Sequence, residues 1–193
     1  MKFIVIDTET TGLNPFRNQI ISLGASVYDD NTQKEPKPIS KFCENIIMDS
    51  RFEIEPTALK INRLRISEDS PTLNEERVVI RNFVNYVLEQ GKIDFLMGFN
   101  VQFDLRFLEQ AFRRSRINFN NFLPYKVVDP FVLCHTLIDT GHLPNLKYTT
   151  LKAFCSHFRI EVAPEESHTV LGDIHNTYLV YQEMKNLLNS KLS

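Results

Sequence analysis

The chain has 193 residues, of which 42% are hydrophobic, and this is enough apolar material for one sizeable core. Its formal net charge of −2 at pH 7 excludes a protein that coats nucleic acid by bulk electrostatic attraction. The charge does not exclude a protein that holds a few phosphates through a metal ion or backbone amides.

The first predicted element is a buried strand. The apolar run Phe3-Ile4-Val5-Ile6 favours a strand, and Asp7-Thr8-Glu9 extends it. Because side chains alternate along a strand, Asp7 and Glu9 face the same side and could hold a metal ion. A solvated acidic pair at a strand end is the alternative for this triplet. A turn-rich stretch follows over residues 10–15, where Gly12 would let the backbone approach a ligand.

Two further strands are predicted over residues 18–29 and about 38–48, joined by a hairpin turn at 29–32. A short helix is predicted near Pro56 to Ile61. Thr72 and Glu75 then form a capping-box pattern, which predicts that a helix begins there.

That helix should end near Gly91. The apolar run 95–98 predicts a strand, with Asp104 at the start of the helix that follows. Later elements are a short strand at 127–128 and helices near 130–140, 149–157 and 170–188. This order predicts an α/β fold with a mixed central sheet, in one domain over residues 1–185 with a short polar tail over 186–193.

Two more acids and a histidine are candidate functional residues: Asp104, Asp173 and His168. Either acid could instead be a first-turn residue that only stabilises its helix dipole. Carboxylates that converge raise each other's pKa, so a fold that gathers several of them needs a cation. Oxygen ligands favour Mg²⁺ or Mn²⁺, and a nearby histidine could act as a base.

Three motifs in order give the chain its resemblance to a known family. They are Asp7-Thr8-Glu9-Thr10-Thr11-Gly12-Leu13, Asn100-Val101-Gln102-Phe103-Asp104, and His168 with Asp173. The chain resembles the DEDDh 3′–5′ exonucleases of the DnaQ superfamily, especially the epsilon-like proofreading branch, from about residue 2 to 182. The resemblance implies a ribonuclease H-like fold and hydrolysis of nucleic acid from its 3′ end to nucleoside 5′-monophosphates.

The resemblance also implies a site. Asp7, Glu9, Asp104 and Asp173 would hold two divalent ions, Mg²⁺ with Mn²⁺ as substitute, and His168 would take the proton from the attacking water. Candidate contacts to the terminal nucleotide are the backbone near Thr8, Thr10 and Gly12, the apolar side chains Leu13 and Phe103, and Asn100. Phe103 could equally be a core residue.

The chain departs from the family's usual residues at Phe99, Val101, Val170 and Ile174. Thr57 and Asn62 stand where the epsilon-like branch has a glutamate and a histidine. None of these departures replaces a predicted metal ligand or the base, so they affect substrate binding rather than the type of reaction.

The resemblance leaves several substrates and partners open. The expected partner is a single-stranded or frayed 3′ end, with DNA favoured over RNA, and the protein could act alone, as a homodimer or beside a polymerase. The alternatives are an RNA-trimming exonuclease of the same superfamily and a non-catalytic nucleic-acid-binding module. Two basic clusters could guide phosphates, although most such clusters are solvated helix faces: Lys60, Arg63 and Arg65, and Arg113, Arg114 and Arg116.

The cysteines and the hydropathy pattern bear on location. Cys43, Cys134 and Cys155 lack metal-finger or C-x-x-C spacing, which favours reduced, buried thiols. We expect no signal peptide and no membrane span, and therefore a cytoplasmic protein.

Overall fold

The computed structural model describes residues 1–30, 37–58, 73–162 and 169–192. A six-stranded sheet forms its centre, in the order β4-β3-β2-β1-β5-β6. The strands are β1 (Lys2–Thr10), β2 (Ile20–Asp29), β3 (Ser40–Ile46), β4 (Leu73–Asn74), β5 (Phe95–Met97) and β6 (Val127–Val128). Strands β1 to β3 form an antiparallel meander, whereas β5 runs parallel to β1 and β6 parallel to β5. The predicted α/β fold with a mixed sheet is confirmed.

Helices cover both faces of this sheet. They are α1 (Glu76–Glu89), α2 (Gln102–Arg114), α3 (Pro130–Asp139), α4 (Leu151–His157) and α5 (Val170–Leu192), with a 3₁₀ turn at Phe119–Asn121. Residues 56–58 are also helical. In the described part of the chain, no helix has the length and apolar character needed to cross a membrane.

The alternation of side chains along β1 decides which helix each residue meets. Ile4 and Ile6 pack into the core beneath α1 and α2, whereas Phe3 and Val5 pack beneath α5. Asp7 and Glu9 continue the second series, so they belong to the face covered by α5. Thr8 continues the first series and therefore faces α2.

Three predictions about local structure are wrong. Helix α1 begins at Glu76, and the N-cap Glu75 makes no side-chain capping bond within the described residues. The capping box fails because Leu73 and Asn74 instead pair with β3. The last helix continues to Leu192, beyond the predicted end at 188. Cys43 is exposed although it lies opposite Gly24 on the face of the sheet that α5 packs against, whereas the other two cysteines are buried as predicted.

Candidate active site

Three carboxylates from distant parts of the chain converge at the end of the sheet. Asp7 and Glu9 lie near the end of β1, and Asp173 lies in the first turn of α5. One carboxylate oxygen from each of them lies within 4.8 Å of the others. The structure thus brings together three of the four predicted metal ligands.

The electrostatics of this cluster are strongly unfavourable without a cation. Burial raises the pKa of Asp7 well above its ordinary value, and the neighbouring Asp104, Glu9 and Asp173 raise it further. Burial, followed by the charges of Asp173 and Asp104, raises the pKa of Glu9 to about 8. Three partly buried carboxylates that lie this close together form a donor set that fits a hard divalent ion.

Asp104 lies beside this group of three rather than within it. Its Oδ1 accepts hydrogen bonds from the Thr8 amide at 2.9 Å and the Thr8 hydroxyl at 2.6 Å. Burial raises the pKa of Asp104 to about 7, although the bonds from Thr8 lower it. The Thr8 amide thus helps to position Asp104, and its contact with the terminal nucleotide stays a prediction.

A residue that the sequence reasoning missed holds the loop before α2. Asp129 accepts hydrogen bonds from the amides of Asn100 at 2.9 Å, Val101 at 3.1 Å and Phe131 at 2.9 Å. Asn100 adopts a left-handed conformation with φ of 57°. Asp129 is also the N-cap of α3. The sequence Asp129-Pro130 is typical of a helix start and could have indicated the cap, but not the bonds to the loop.

The turn after β1 is fixed by its neighbours. The Thr10 hydroxyl donates to the Gly12 carbonyl at 2.7 Å, and Thr11 Oγ1 donates to the Glu53 carbonyl at 2.8 Å. A Cβ at Gly12 would lie 2.5 Å from the buried side chain of Asn18. Close packing therefore accounts for this glycine.

Three predicted substrate contacts line one cavity of about 270 Å³: Leu13, Asn100 and Phe103. The Leu13 side chain is 76% exposed. Phe103 is half-buried, with its ring centroid 4.9 Å from that of Phe107, so it both packs and presents an edge to the cavity.

The departures near the C-terminal motif are packing residues. Val170 and Ile174 are buried at the start of α5. A Cβ on Gly24, the residue opposite Asp7 in β2, would lie 3.0 Å from both side chains. Gly24 thus admits α5 close to the sheet, and this close approach places Asp173.

The departures in the second motif are also packing residues. Val101 is fully buried, and a Cβ on Gly98 would lie 2.7 Å from it. Phe99 packs against Phe131 and Phe154, with ring centroids 5.6 Å and 6.0 Å away. These side chains fill space next to the site.

The remaining predicted residues either lie outside the part of the chain that the structure describes or have other surroundings there. His168, Asn62 and the cluster of Lys60, Arg63 and Arg65 lie outside the described residues. Thr57 is exposed. Arg114 forms a two-bond ion pair with Glu76, both bonds being 2.7 Å, and lies over the Phe52 ring. The Arg114 guanidinium therefore stabilises the fold through Glu76 and Phe52.

Comparisons with known proteins give the family. The family model described as Exonuclease (RNase_T) matches residues 4–181. A ribonuclease T of Wigglesworthia glossinidia brevipalpis is 25% identical over 188 residues, which cover 95% of this chain and 84% of that protein. The DNA polymerase III subunit epsilon of Pasteurella multocida is 26% identical over 188 residues, which cover 94% of this chain and 67% of that protein.

Solved structures share the fold. The structure of E. coli exonuclease I in complex with a dT13 oligonucleotide matches with a TM-score of 0.79 at 16% identity. The match covers 99% of this chain but 42% of that one, so this chain spans about two fifths of exonuclease I. The likeness confirms the ribonuclease H-like architecture.

Proposed function

The chain belongs to the exonuclease family, and we propose that it is a metal-dependent 3′–5′ exonuclease that releases nucleoside 5′-monophosphates one at a time. The observation that carries this proposal is the convergence of Asp7, Glu9 and Asp173, with Asp104 beside them. Repulsion among these carboxylates destabilises the metal-free fold, and a protein without a metal-dependent activity has no physical reason to keep them together. The non-catalytic alternative is therefore the weaker one.

The acidic residues would hold two divalent ions, Mg²⁺ or in its place Mn²⁺. Asp7, Glu9 and Asp173 would hold one ion, Asp7 would also reach the second, and Asp104 would ligate directly or through water. When bound, such ions stabilise the charge that develops on the attacking and leaving oxygens of a phosphodiester during in-line displacement.

The remaining steps fall to the protein. Leu13, Phe103 and Asn100 would hold the terminal nucleotide, and their cavity of about 270 Å³ suits a single base, which explains release one nucleotide at a time. His168, assigned from its motif alone, would take the proton from the attacking water. The bond between phosphorus and the 3′-oxygen of the next nucleotide breaks, and that oxygen acquires a proton.

Single-stranded or frayed DNA is the substrate we favour. RNA is the second candidate, because the ribonuclease T relative is covered over 84% of its length by this alignment. A separate polymerase or a second copy of the chain is a possible partner. We keep the cytoplasm as the expected location on the sequence pattern alone.

Chimeric oligonucleotides test the substrate and the product together. Strands of one sequence would end in either a deoxynucleotide or a ribonucleotide, with a 3′-phosphorylated strand as a blocked control. The proposal predicts release of nucleoside 5′-monophosphate and faster loss of the deoxynucleotide. Release of 3′-monophosphates would contradict the reaction, whereas faster loss of the ribonucleotide would favour the RNA alternative.

A further inference from the structure

A cavity of about 500 Å³ lies between the first turn of α5 and the outer part of the sheet. Helix α5 packs on β1 and β2, whereas Lys41 and Cys43, which β3 presents on the same face, stay exposed. Ser26 and Tyr28 line the cavity from β2, and residues 169–172 line it from α5. In the described part of the chain, it shares no lining residue with the cavity assigned to the terminal nucleotide.

Three basic side chains line this cavity: Lys37, Lys41 and His175. They come from the segment that leads into β3, from β3 itself and from α5, so the fold rather than a run of sequence brings them together. Lys41 lies opposite Ser26 in the sheet and forms no ion pair with any residue in the described ranges. The Nδ1 atom of His175 lies 3.5 Å from the Tyr28 hydroxyl, which fixes the ring at the cavity wall.

The acidic side chains of the neighbouring elements are engaged elsewhere. Glu44 of β3 accepts a hydrogen bond at 3.0 Å from Asn82 of α1, on the other face of the sheet. Asp30, at the end of β2, pairs with Lys185 at 2.7 Å, and Asp173 belongs to the carboxylate cluster. Among the residues that the structure describes, no acid lines the cavity. The cavity therefore carries a positive charge and attracts anions.

We infer that this cavity binds a phosphate monoester between the lysines of the β3 side and the first turns of α5. A lysine ammonium is a compact charge that suits phosphate oxygens, and a histidine ring can donate a further hydrogen bond. The volume lies in the range of small-molecule sites, and Pro38 and Leu171 add apolar surface, so the cavity has room for more than the phosphate group. The site stands apart from the proposed function, although a released nucleoside 5′-monophosphate would carry the group that it binds.

Titration of the metal-free protein with inorganic phosphate, followed by amide NMR, tests the site. In EDTA and at constant ionic strength, the signals of Lys41 and of residues 169–172 should shift and saturate. Lys41→Ala should raise the Kd about tenfold, the order expected for loss of one charge-assisted hydrogen bond, and Lys41→Arg should largely restore it. The matched control is Lys126→Ala, which removes an exposed lysine next to β6 at the other edge of the sheet and should leave the Kd unchanged.

Thymidine 5′-monophosphate and thymidine then distinguish the sources of the phosphate group. A lower Kd for the nucleotide than for inorganic phosphate, read from the Lys41 signal, would assign the cavity to a nucleotide, whereas equal values would assign it to free phosphate. Absent or non-saturating shifts, a Kd that Lys41→Ala leaves unchanged, or equally tight binding of thymidine would overturn the site. A protein that bound phosphate here but cleaved no nucleic acid would refute the proposed function and leave the site intact.

Discussion

Replacing Asp129 with alanine removes the shared acceptor of three backbone amides. Loss of the N-cap of α3 costs about 1 kcal/mol. The Val101 amide would become unpaired in a buried position, at about 1–3 kcal/mol. The Asn100 amide lies at an exposed residue, where water can replace the carboxylate. Asp129→Ala should therefore lower the free energy of unfolding by roughly 2–4 kcal/mol.

Urea unfolding in EDTA measures this loss. At a denaturant sensitivity of roughly 2 kcal/mol per molar urea, the midpoint should fall by about 1–2 M. Asp129→Asn keeps Oδ1, which serves Asn100 and Phe131, and loses only the acceptor for Val101. It should therefore keep the N-cap contribution and cost about 1–3 kcal/mol, roughly 1 kcal/mol less than the alanine variant. Activity should fall with stability, because the loop held by Asp129 leads into the helix that carries Asp104.

The matched control is Asp139→Ala, at the other end of the same helix. Asp139 is exposed, and a carboxylate at a helix C-terminus is slightly unfavourable, so this variant should be neutral or slightly stabilised. If Asp129→Ala shifted the midpoint no more than Asp139→Ala, the anchoring role of Asp129 would be refuted.

Three other substitutions test separate parts of the account. Since the pKa of Asp7 is raised, its ionised form destabilises the metal-free fold above the ordinary carboxyl range. Asp7→Asn should therefore raise the free energy of unfolding by about 1 kcal/mol or more at pH 8 and change little at pH 4; equal urea midpoint shifts at both pH values would contradict this. Gly24→Leu should push α5 away from the sheet and displace Asp173, costing roughly 1–3 kcal/mol and most of the activity; a variant with wild-type activity would refute this role of the glycine. Arg114→Ala should lower stability by roughly 1–3 kcal/mol through loss of its pair with Glu76, while the salt dependence of DNA binding stays unchanged; a flatter salt dependence would return Arg114 to the role of phosphate guide.

The sequence predicted the parts of the site that depend on local periodicity. Alternation along one strand placed Asp7 and Glu9 on the same side, and the helical pattern placed Asp104 and Asp173 in first turns. Strand or helix periodicity is visible in a short window, so these placements needed no tertiary information.

The contacts between distant segments could not be predicted in this way. Thr8 bonds to a carboxylate 96 positions away, and Asp129 bonds to an amide 29 positions away. The capping box at Glu75 failed for the same reason, because strand pairing by Leu73 and Asn74 outweighed a local preference. The role of His168 stays a prediction.

The most direct test of the catalytic assignment is digestion of 5′-labelled single-stranded DNA with Mg²⁺ or Mn²⁺. The wild type and Asp139→Asn should both give a ladder that shortens from the 3′ end and disappears in EDTA. Asp7→Asn, though folded, should leave the strand at full length. A folded wild-type protein that leaves the strand intact with metal present, or an Asp7→Asn variant that still produces the ladder, would contradict the account.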